Sequence, residues 1–373
     1  MNEASSAPQM EDADSAEVRQ LLRQSLETVL ARHCSFEQRR DAYRSEARHS
    51  AAAWAAYAEL GLLAVGLPEE HGGLPGTIAD VAMAAEMMGG VLALEPYRAT
   101  MAAARLLAAA GTARQQTQWL PAIAAGTAKA AVAHWEPGCG LGAPLGAEAV
   151  RAGSGWRLSG SKPVVPGGDA ADLFIVSARA EGEVGLFLVP AEAVGRRAYG
   201  CFDWTGAADL VLADVAVPAE AQLAVGEAAL AQALDESTAL ACADAVGAIR
   251  AANALTRDYA RTRRQFGVPI ASFQVLQHRM VDMAIAEEEA AAIVSAAVSA
   301  CLLQPDADTR ARIVSAARVA VGDAAQFVAR QCVQIHGGMG LTEEYPASHY
   351  FARLELFERT SGSREDHVRR VAA

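Results

Sequence analysis

The apolar residues of this chain change their period twice along its length, and that order limits the possible folds more than any single residue does. In the first third they recur at three- and four-residue steps, the spacing of one helix face. Residues 15–33 place Val18, Leu21, Leu22, Leu26, Val29 and Leu30 in this way. Similar patterns predict helices over 51–63, 78–88, 98–110 and 114–125. A loop at 66–73 is marked by its proline and glycines, and its His71 reads as a solvent-facing or capping residue. The middle of the chain holds short alternating or fully apolar runs at 129–134, 156–160, 173–178, 185–190 and 210–218. Turns with glycine, proline and aspartate separate them, so they predict a small antiparallel β domain. From Glu227 the helical period returns, over 230–262, 273–303, 308–333, 347–357 and 365–371. In the second of these, Glu287-Glu288-Glu289 reads as a solvated face. On the third, Ile313, Ala316, Ala317, Ala320, Ala324, Phe327 and Val328 mark one face. The expected fold class is α+β. A disordered acidic head covers 1–15, an N-terminal helical domain 16–125, a β domain 126–222 and a C-terminal four-helix domain 223–373.

The totals narrow the function. With 373 residues, 52% hydrophobic and 20% charged, the chain can bury a sizeable core. The net charge of −12 argues against a nucleic-acid backbone as main partner, though local arginines and helix N-termini can still hold an anionic small molecule. No apolar run is long and clean enough to span a bilayer. The acidic start, with Glu3, Glu11, Asp12 and Asp14, has the wrong sign for a signal or transit peptide, so the expectation is a cytoplasmic protein without membrane partners. The six cysteines are scattered, with no C-x-x-C pair and no metal-ligand spacing, which predicts reduced, mostly buried thiols and no metal.

Two stretches carry chemistry. The first is Gln334-Ile335-His336-Gly337-Gly338-Met339-Gly340-Leu341-Thr342-Glu343-Glu344-Tyr345-Pro346. Glycines there end a helix and also let another molecule approach the backbone N–H groups. A helix cap and a ligand cradle are both open readings. The second is Arg261-Thr262-Arg263-Arg264-Gln265-Phe266-Gly267-Val268-Pro269-Ile270, followed by Phe273-Gln274 and Gln277-His278. Its arginines suit the negative end of a helix dipole, or, with the neighbouring amides, a pyrophosphate.

On these two motifs, R-x-Q-F-G-x-P-I with F-Q-x-x-Q-H and Q-I-H-G-G-M-G-x-T-E-E-Y-P, the chain resembles the acyl-CoA dehydrogenase family of flavoproteins. The stretches Phe36-Glu37-Gln38-Arg39-Arg40, Glu59-Leu60-Gly61-Leu62-Leu63 and Leu94-Glu95-Pro96-Tyr97 make it similar to the small subunits of heteromeric enzymes of the pimeloyl-CoA and steroid side-chain type. The resemblance implies FAD, bound across a subunit interface. It places Arg263 at the pyrophosphate with Gln265 and Phe266 beside it, and makes Phe273 and Gln274 a further contacting pair. Gln334, Gly337 and Gly338 would line the adenosine diphosphate end. It also implies an acyl-CoA substrate and an electron-transfer flavoprotein as acceptor.

The chain departs from the family where the chemistry is done. The family removes an α-proton with a carboxylate, while the β-hydrogen leaves as hydride to the flavin. The position of that base is Ser361 here, and the alternative position used by some members is Ser237. Glu358 would match the base motif only across a three-residue gap. Glu236 lies one residue off, about 100° round a helix. The family's T-E-P-x-A-G-S-D loop is Trp135-Glu136-Pro137-Gly138-Cys139-Gly140-Leu141-Gly142, and its W-I-T stretch is Val164-Val165-Pro166. The resemblance therefore implies an auxiliary subunit without a catalytic residue of its own. It would complete the FAD site of a related partner in an α2β2 assembly. The reduced bulk suits a steroid or another ring-bearing acyl group. A self-sufficient enzyme using Glu358 and a flavin-free scaffold of the same fold are the alternatives.

Overall fold

The computed structural model describes residues 7–373 apart from Cys139, with side chains described from Glu17 onward. The helices of the first third are α1 (Ala7–His33), α2 (Phe36–Arg44), α3 (Ala51–Glu59), α4 (Ile78–Gly90), α5 (Tyr97–Ala110) and α6 (Ala113–Ala124). Those of the last third are α7 (Glu227–Thr262), α8 (Gln274–Leu303), α9 (Ala307–His336), α10 (Pro346–Phe357) and α11 (Arg364–Ala372). The head expected to be disordered falls partly outside the described residues, and from Ala7 the chain is helical. Helix α2, not anticipated from the apolar period, starts at a capping box: Ser35 and Gln38 satisfy each other's backbone N–H groups. Its sequence is mostly charged, so it lacks the stripe that betrays a helix.

The middle forms one sheet of seven strands among the described residues: β1 (Ala130–Ala133), β2 (Glu148–Ala152), β3 (Gly155–Pro166), β4 (Leu173–Ala180), β5 (Glu183–Pro190), β6 (Gly195–Gly200) and β7 (Gly206–Pro218). Most pairings are antiparallel, as expected. However, β4 takes β1 and then the end of β2 along one edge in parallel, with β5 antiparallel on the other. Strands β2 and β6 were not anticipated. They are short and largely exposed, so no buried alternation marks them.

Strand β4 is buried on both faces, which explains its unbroken apolar run. Phe174 and Val176 join the core inside the sheet. Leu173 and Ile175 point the other way, toward Leu106 and Leu107 of α5, Leu120 and Ile123 of α6, and Leu230 at the start of α7. A third and larger core joins α1, α3, α4 and α7–α10. Helix α9 is packed on more than one side, so its buried line runs through Val314, Ala317, Val321, Ala325 and Val328. Ile313, Ala316, Ala320 and Phe327 of the expected face are only half-buried. Of the three glutamates expected in solvent on α8, Glu287 turns inward. It accepts from Asn253 Nδ2 at 2.8 Å and lies 3.5 Å from Arg250, while Glu288 and Glu289 stay toward solvent. Cys242, Cys301 and Cys332 are buried thiols, and Cys34 and Cys201 are half-buried.

Helices α4 and α7 cross at two glycines. A Cβ on Gly247 would lie 1.8 Å from the carbonyl oxygen of Glu86, and one on Gly89 would lie 2.0 Å from that of Asp244. Only hydrogen atoms fit between these backbones. The crossing sets the depth at which Met88 and Asp244 reach the cavity described below. Gly247→Ala is expected to destabilise the fold by about 1–3 kcal/mol through overpacking, seen as a lowered melting temperature. Gly90→Ala, whose Cβ would stand 3.6 Å from its nearest neighbour, should leave the melt nearly unchanged.

Candidate active site and dinucleotide face

A cavity of about 490 Å³ opens where the two helical regions meet the sheet. Its walls come from the α4–α5 connection, the segment just after β1, the Pro163–Gly167 end of β3, the first turns of α7 and the turn between α10 and α11. It brings together Ser237, Ser361 and Glu358, which come from two separate parts of the sequence. Hydroxyls therefore stand at both positions where a carboxylate base was sought.

The α10–α11 turn is held by its backbone. Arg318 of α9 is fully buried and donates to the carbonyl oxygens of Phe357, Glu358 and Thr360 at 3.0, 2.9 and 3.2 Å. Its guanidinium also lies 4.3 Å from the Phe357 ring centre and contacts Glu358 Oε2 at 3.2 Å. Glu358 thus lines the cavity already committed to a cation. Ser361 has φ +62°, a left-handed conformation uncommon for a residue other than glycine. His367 Nε2 donates to its carbonyl oxygen at 2.7 Å, and Ser315 Oγ donates to His367 Nδ1 at 3.0 Å. That pairing assigns the proton to Nε2. Glu236 takes no part in the cavity: Arg105 grips both its oxygens at 2.7 and 3.1 Å.

On the sheet side, Glu136 and Lys162 form a buried ion pair at 2.6 Å. Lys162 Nζ also donates to the carbonyl oxygen of His134 and to Ser177 Oγ, while Glu136 accepts from the N–H groups of Gly146 and Ala147. The pair anchors the glycine-rich loop at 136–147 to β3. Burial, with Lys162 beside it, holds His134 down to about 4. Val164 has φ +50°, an outlier for a β-branched side chain, at a register shift between β3 and β7. Asp209 Oδ1 fixes it by accepting its N–H at 3.0 Å.

The residues expected to meet a dinucleotide lie on a second face and do not line this cavity. Arg264–Gln265 pairs with Val268–Pro269 in a short hairpin just after α7. Its tip residue Phe266 has φ +53° and is 92% exposed, edge-on to Phe273 at 6.2 Å. Arg263, Gln265 and Gln274 are exposed, as are Gly337 and Gly338 beyond Gln334. Tyr259 joins the two parts: Arg263 N donates to its carbonyl oxygen, its hydroxyl donates to that of His336, and the Tyr259 and His336 rings lie 4.4 Å apart. The glycine turn caps its helix and leaves its backbone open. Gly337 caps α9 with φ +61°, and a Cβ on Gly337 or Gly338 would meet nothing within 4 Å.

Family models for the acyl-CoA dehydrogenase N-terminal and C-terminal domains match residues 15–127 and 225–373. The chain is 30% identical over 376 residues to the acyl-CoA dehydrogenase FadE12 of Mycobacterium tuberculosis (H37Rv), covering 94% of each. The chain belongs to the acyl-CoA dehydrogenase family. Among solved structures it is similar to a variant of the Tcur3481–Tcur3483 steroid acyl-CoA dehydrogenase, with TM-score 0.89 and 29% identity over 96% of this chain and 97% of that one. It is also similar to the ChsE4–ChsE5 complex of Mycobacterium tuberculosis, with TM-score 0.88 and 27% identity over 95% and 96%. Members of the acyl-CoA dehydrogenase family are FAD-dependent flavoproteins, and FAD is the cofactor that membership brings. The second face fits such a ligand. It offers an exposed arginine at Arg263 and a backbone at Gly337–Gly338 open to close approach. Among the described residues no helix is long and apolar enough to cross a membrane, and no cluster of side chains is suited to a metal ion.

Sequence reading missed Arg318, Lys162 and Arg353, all buried beside the cavity. The signal for Arg318 was available: it interrupts Val314, Ala317 and Val321, an otherwise apolar helix face, and a charge there needs a buried partner. His367 gives a pH test. Burial, followed by the charges of Arg318 and Arg370, holds it down to about 4, against about 6.5 in an unfolded chain. Between these values the unfolded chain binds a proton that the native one refuses, so stability falls as pH drops through that window. The loss attributable to His367 is expected to reach about 2 kcal/mol at pH 5. Denaturant titrations across this range should show a shallower dependence of stability on pH for His367→Gln.

Proposed function

We propose that this chain is the auxiliary subunit of a heteromeric FAD-dependent acyl-CoA dehydrogenase. One observation carries the reading: Ser361 occupies the base position on the α10–α11 turn, and Glu358, three residues before it, is held by the buried Arg318. A serine hydroxyl needs an activating base of its own before it can take a proton. A carboxylate that abstracts an α-proton should be shielded and free to reach the substrate, whereas Glu358 Oε2 is held by Arg318 at 3.2 Å.

The division of labour follows. FAD supplies the acceptor for the hydride that leaves the acyl β-carbon. This chain's Arg263, Gln265, Phe266, Phe273, Gln274, Gln334, Gly337 and Gly338 hold the dinucleotide end of a cofactor whose ring lies in a related partner. The partner supplies the carboxylate base and the ring contacts. The exposure of Phe266 in a left-handed conformation supports this, because an unburied aromatic in a strained turn is stabilised by what covers it. Similarity to a named two-component complex and to a steroid acyl-CoA dehydrogenase supports an α2β2 assembly and a ring-bearing acyl group. An electron-transfer flavoprotein is the acceptor this reading expects, and the cytoplasm is the compartment it expects for so acidic a chain.

The chain purified alone is expected to be colourless and inactive. Co-expressed with a related chain carrying the base, it should yield a yellow complex with fewer flavins than chains. Arg263→Ala in that complex should cut retained flavin several-fold, on the scale of losing one charge-assisted phosphate contact. Turnover by the single yellow chain would overturn the auxiliary reading in favour of a self-sufficient enzyme, and a colourless complex would favour a scaffold.

A further inference from the structure

Helix α8 is apolar on two opposite sides. Met283, Ala290, Val294, Ala297 and Cys301 are buried in the core it shares with α7 and α9. On the other side Val281, Ile285, Ala292, Ala296, Ser299 and Leu303 are exposed, Val281 by 56%, Ile285 by 51% and Leu303 by 74%. At about 100° per residue these six fall in a stripe about 60° wide, directed away from the buried line. Single apolar residues on a surface are ordinary. Steps of three, four and seven residues along one stripe are instead the spacing of a seam that receives a second helix. The seam is broken once. Three and four residues past Ile285, where the spacing calls for an apolar side chain, Glu288 and Glu289 stand exposed, one at each edge of the stripe.

Two observations select what covers it. The first is continuity. Phe273, whose ring meets that of Phe266 at 6.2 Å in the exposed hairpin, is the cap of α8. The stripe begins at Val281, about 12 Å further along the same helix, so it extends the face assigned above to a partner's cofactor. The second is charge. From Val281 to Leu303 the helix carries Asp282, Glu287, Glu288 and Glu289 and no lysine or arginine. A second copy packing here about a two-fold axis would lie antiparallel, stripe on stripe. It would offer no cation from its stripe to either exposed glutamate, and it would bring both Glu288–Glu289 pairs within about two helical turns of each other. Like charges closed into an interface disfavour that partner. The small side chains of Ala292, Ala296 and Ser299 admit a helix at short range over the other half of the stripe.

We propose that the outer stripe of α8 docks a helix of the related partner chain, apolar along its length and carrying a lysine or arginine opposite Glu288 and Glu289, and that these glutamates keep the stripe from pairing with a second copy of this chain. The proposal rests on the heteromeric reading above and names the surface and the chemistry by which the two chains meet.

Sedimentation of the full chain, alone and co-expressed with a related chain carrying the base, tests it. In the complex, Ile285→Asp should weaken association by roughly 10-fold or more. Glu288→Lys with Glu289→Lys should weaken it by a similar factor that shrinks as salt is raised. These side chains are exposed in the single chain, so its melting temperature should stay nearly unchanged in each variant. In the chain alone, Glu288→Gln with Glu289→Gln should strengthen self-association roughly 10-fold, and adding Ile285→Asp should reverse this. Carbodiimide labelling of Glu288 and Glu289 in the unaltered chain should fall several-fold on complex formation, a readout that needs no variant. A complex indifferent to Ile285→Asp, with both glutamates labelled as in the single chain, overturns the docking surface and leaves the heteromeric reading standing. Self-association of the unaltered chain that Ile285→Asp abolishes overturns it too, because the occupant is then a second copy. Absence of any complex between the unaltered chains overturns the heteromeric reading and this proposal with it.

Discussion

Arg353 is the interaction on which the arrangement of the three regions depends. It is buried on α10, and its guanidinium faces Asp203 from the loop between β6 and β7 at 2.8 Å and both oxygens of Asp244 on α7 at 3.1 Å. It also donates to the carbonyl oxygen of Ala93, in the α4–α5 connection, at 2.9 Å. The Asp203 contact is an ion pair with its N–H off line, since neither Arg353 Nε nor Asp203 Oδ2 makes an aligned hydrogen bond. Arg39 repeats the pattern from α2. It donates to the carbonyl oxygens of Asp203 and Leu92, shares a hydrogen bond with His349, and lies 4.5 Å from the Trp204 ring centre. Placing two guanidinium groups this close costs energy: burial and the charge of Arg353 push Arg39 down to about 9. Such groups persist because removing one partner would strand a charge in the interior.

This cluster explains why a cavity exists where it does. Arg353, Asp244 and Ala93 belong both to the cluster and to the cavity wall. The glycine crossing of α4 and α7 fixes Asp244 from below, and the Arg353 contacts draw the β6–β7 loop and the α4–α5 connection together above it. Gly167, at the end of β3, then meets the first turn of α5, where a Cβ would come within 3.0 Å of Pro96 and Ala99. Close backbone approach on one side and buried charge pairing on the other leave the space between them unfilled.

The long helices and the strands with buried faces were legible because their apolar residues keep one period. The glycine turn after α9 and the hairpin after α7 were legible because glycine and proline mark backbone geometry directly. Helix α2 was not, because its stability comes from a capping box and from Arg39 reaching across to other elements. Arg318, Arg353, Lys162 and Glu287 were hidden for a related reason. A charge within a helical or strand pattern reads as a solvated position, and only the fold shows that its partner lies tens or hundreds of residues away. Backbone geometry was therefore readable, as at Gly337, and paired buried charges were opaque.

The same distinction accounts for how the α10–α11 turn can keep its shape without a carboxylate at position 361. Apart from the Arg318 contacts to the Glu358 carboxylate and the Phe357 ring, the contacts that hold it from Phe357 to Ser361 run to backbone carbonyl oxygens, from Arg318 and His367. None requires a particular side chain at Ser361. The left-handed backbone there is imposed by these donors and followed by Gly362 at φ +96°. A turn fixed mainly through its carbonyls depends little on the side chain it presents at position 361. Backbone and side chain are separable at this turn, so the helices on either side keep their places whichever side chain stands at position 361.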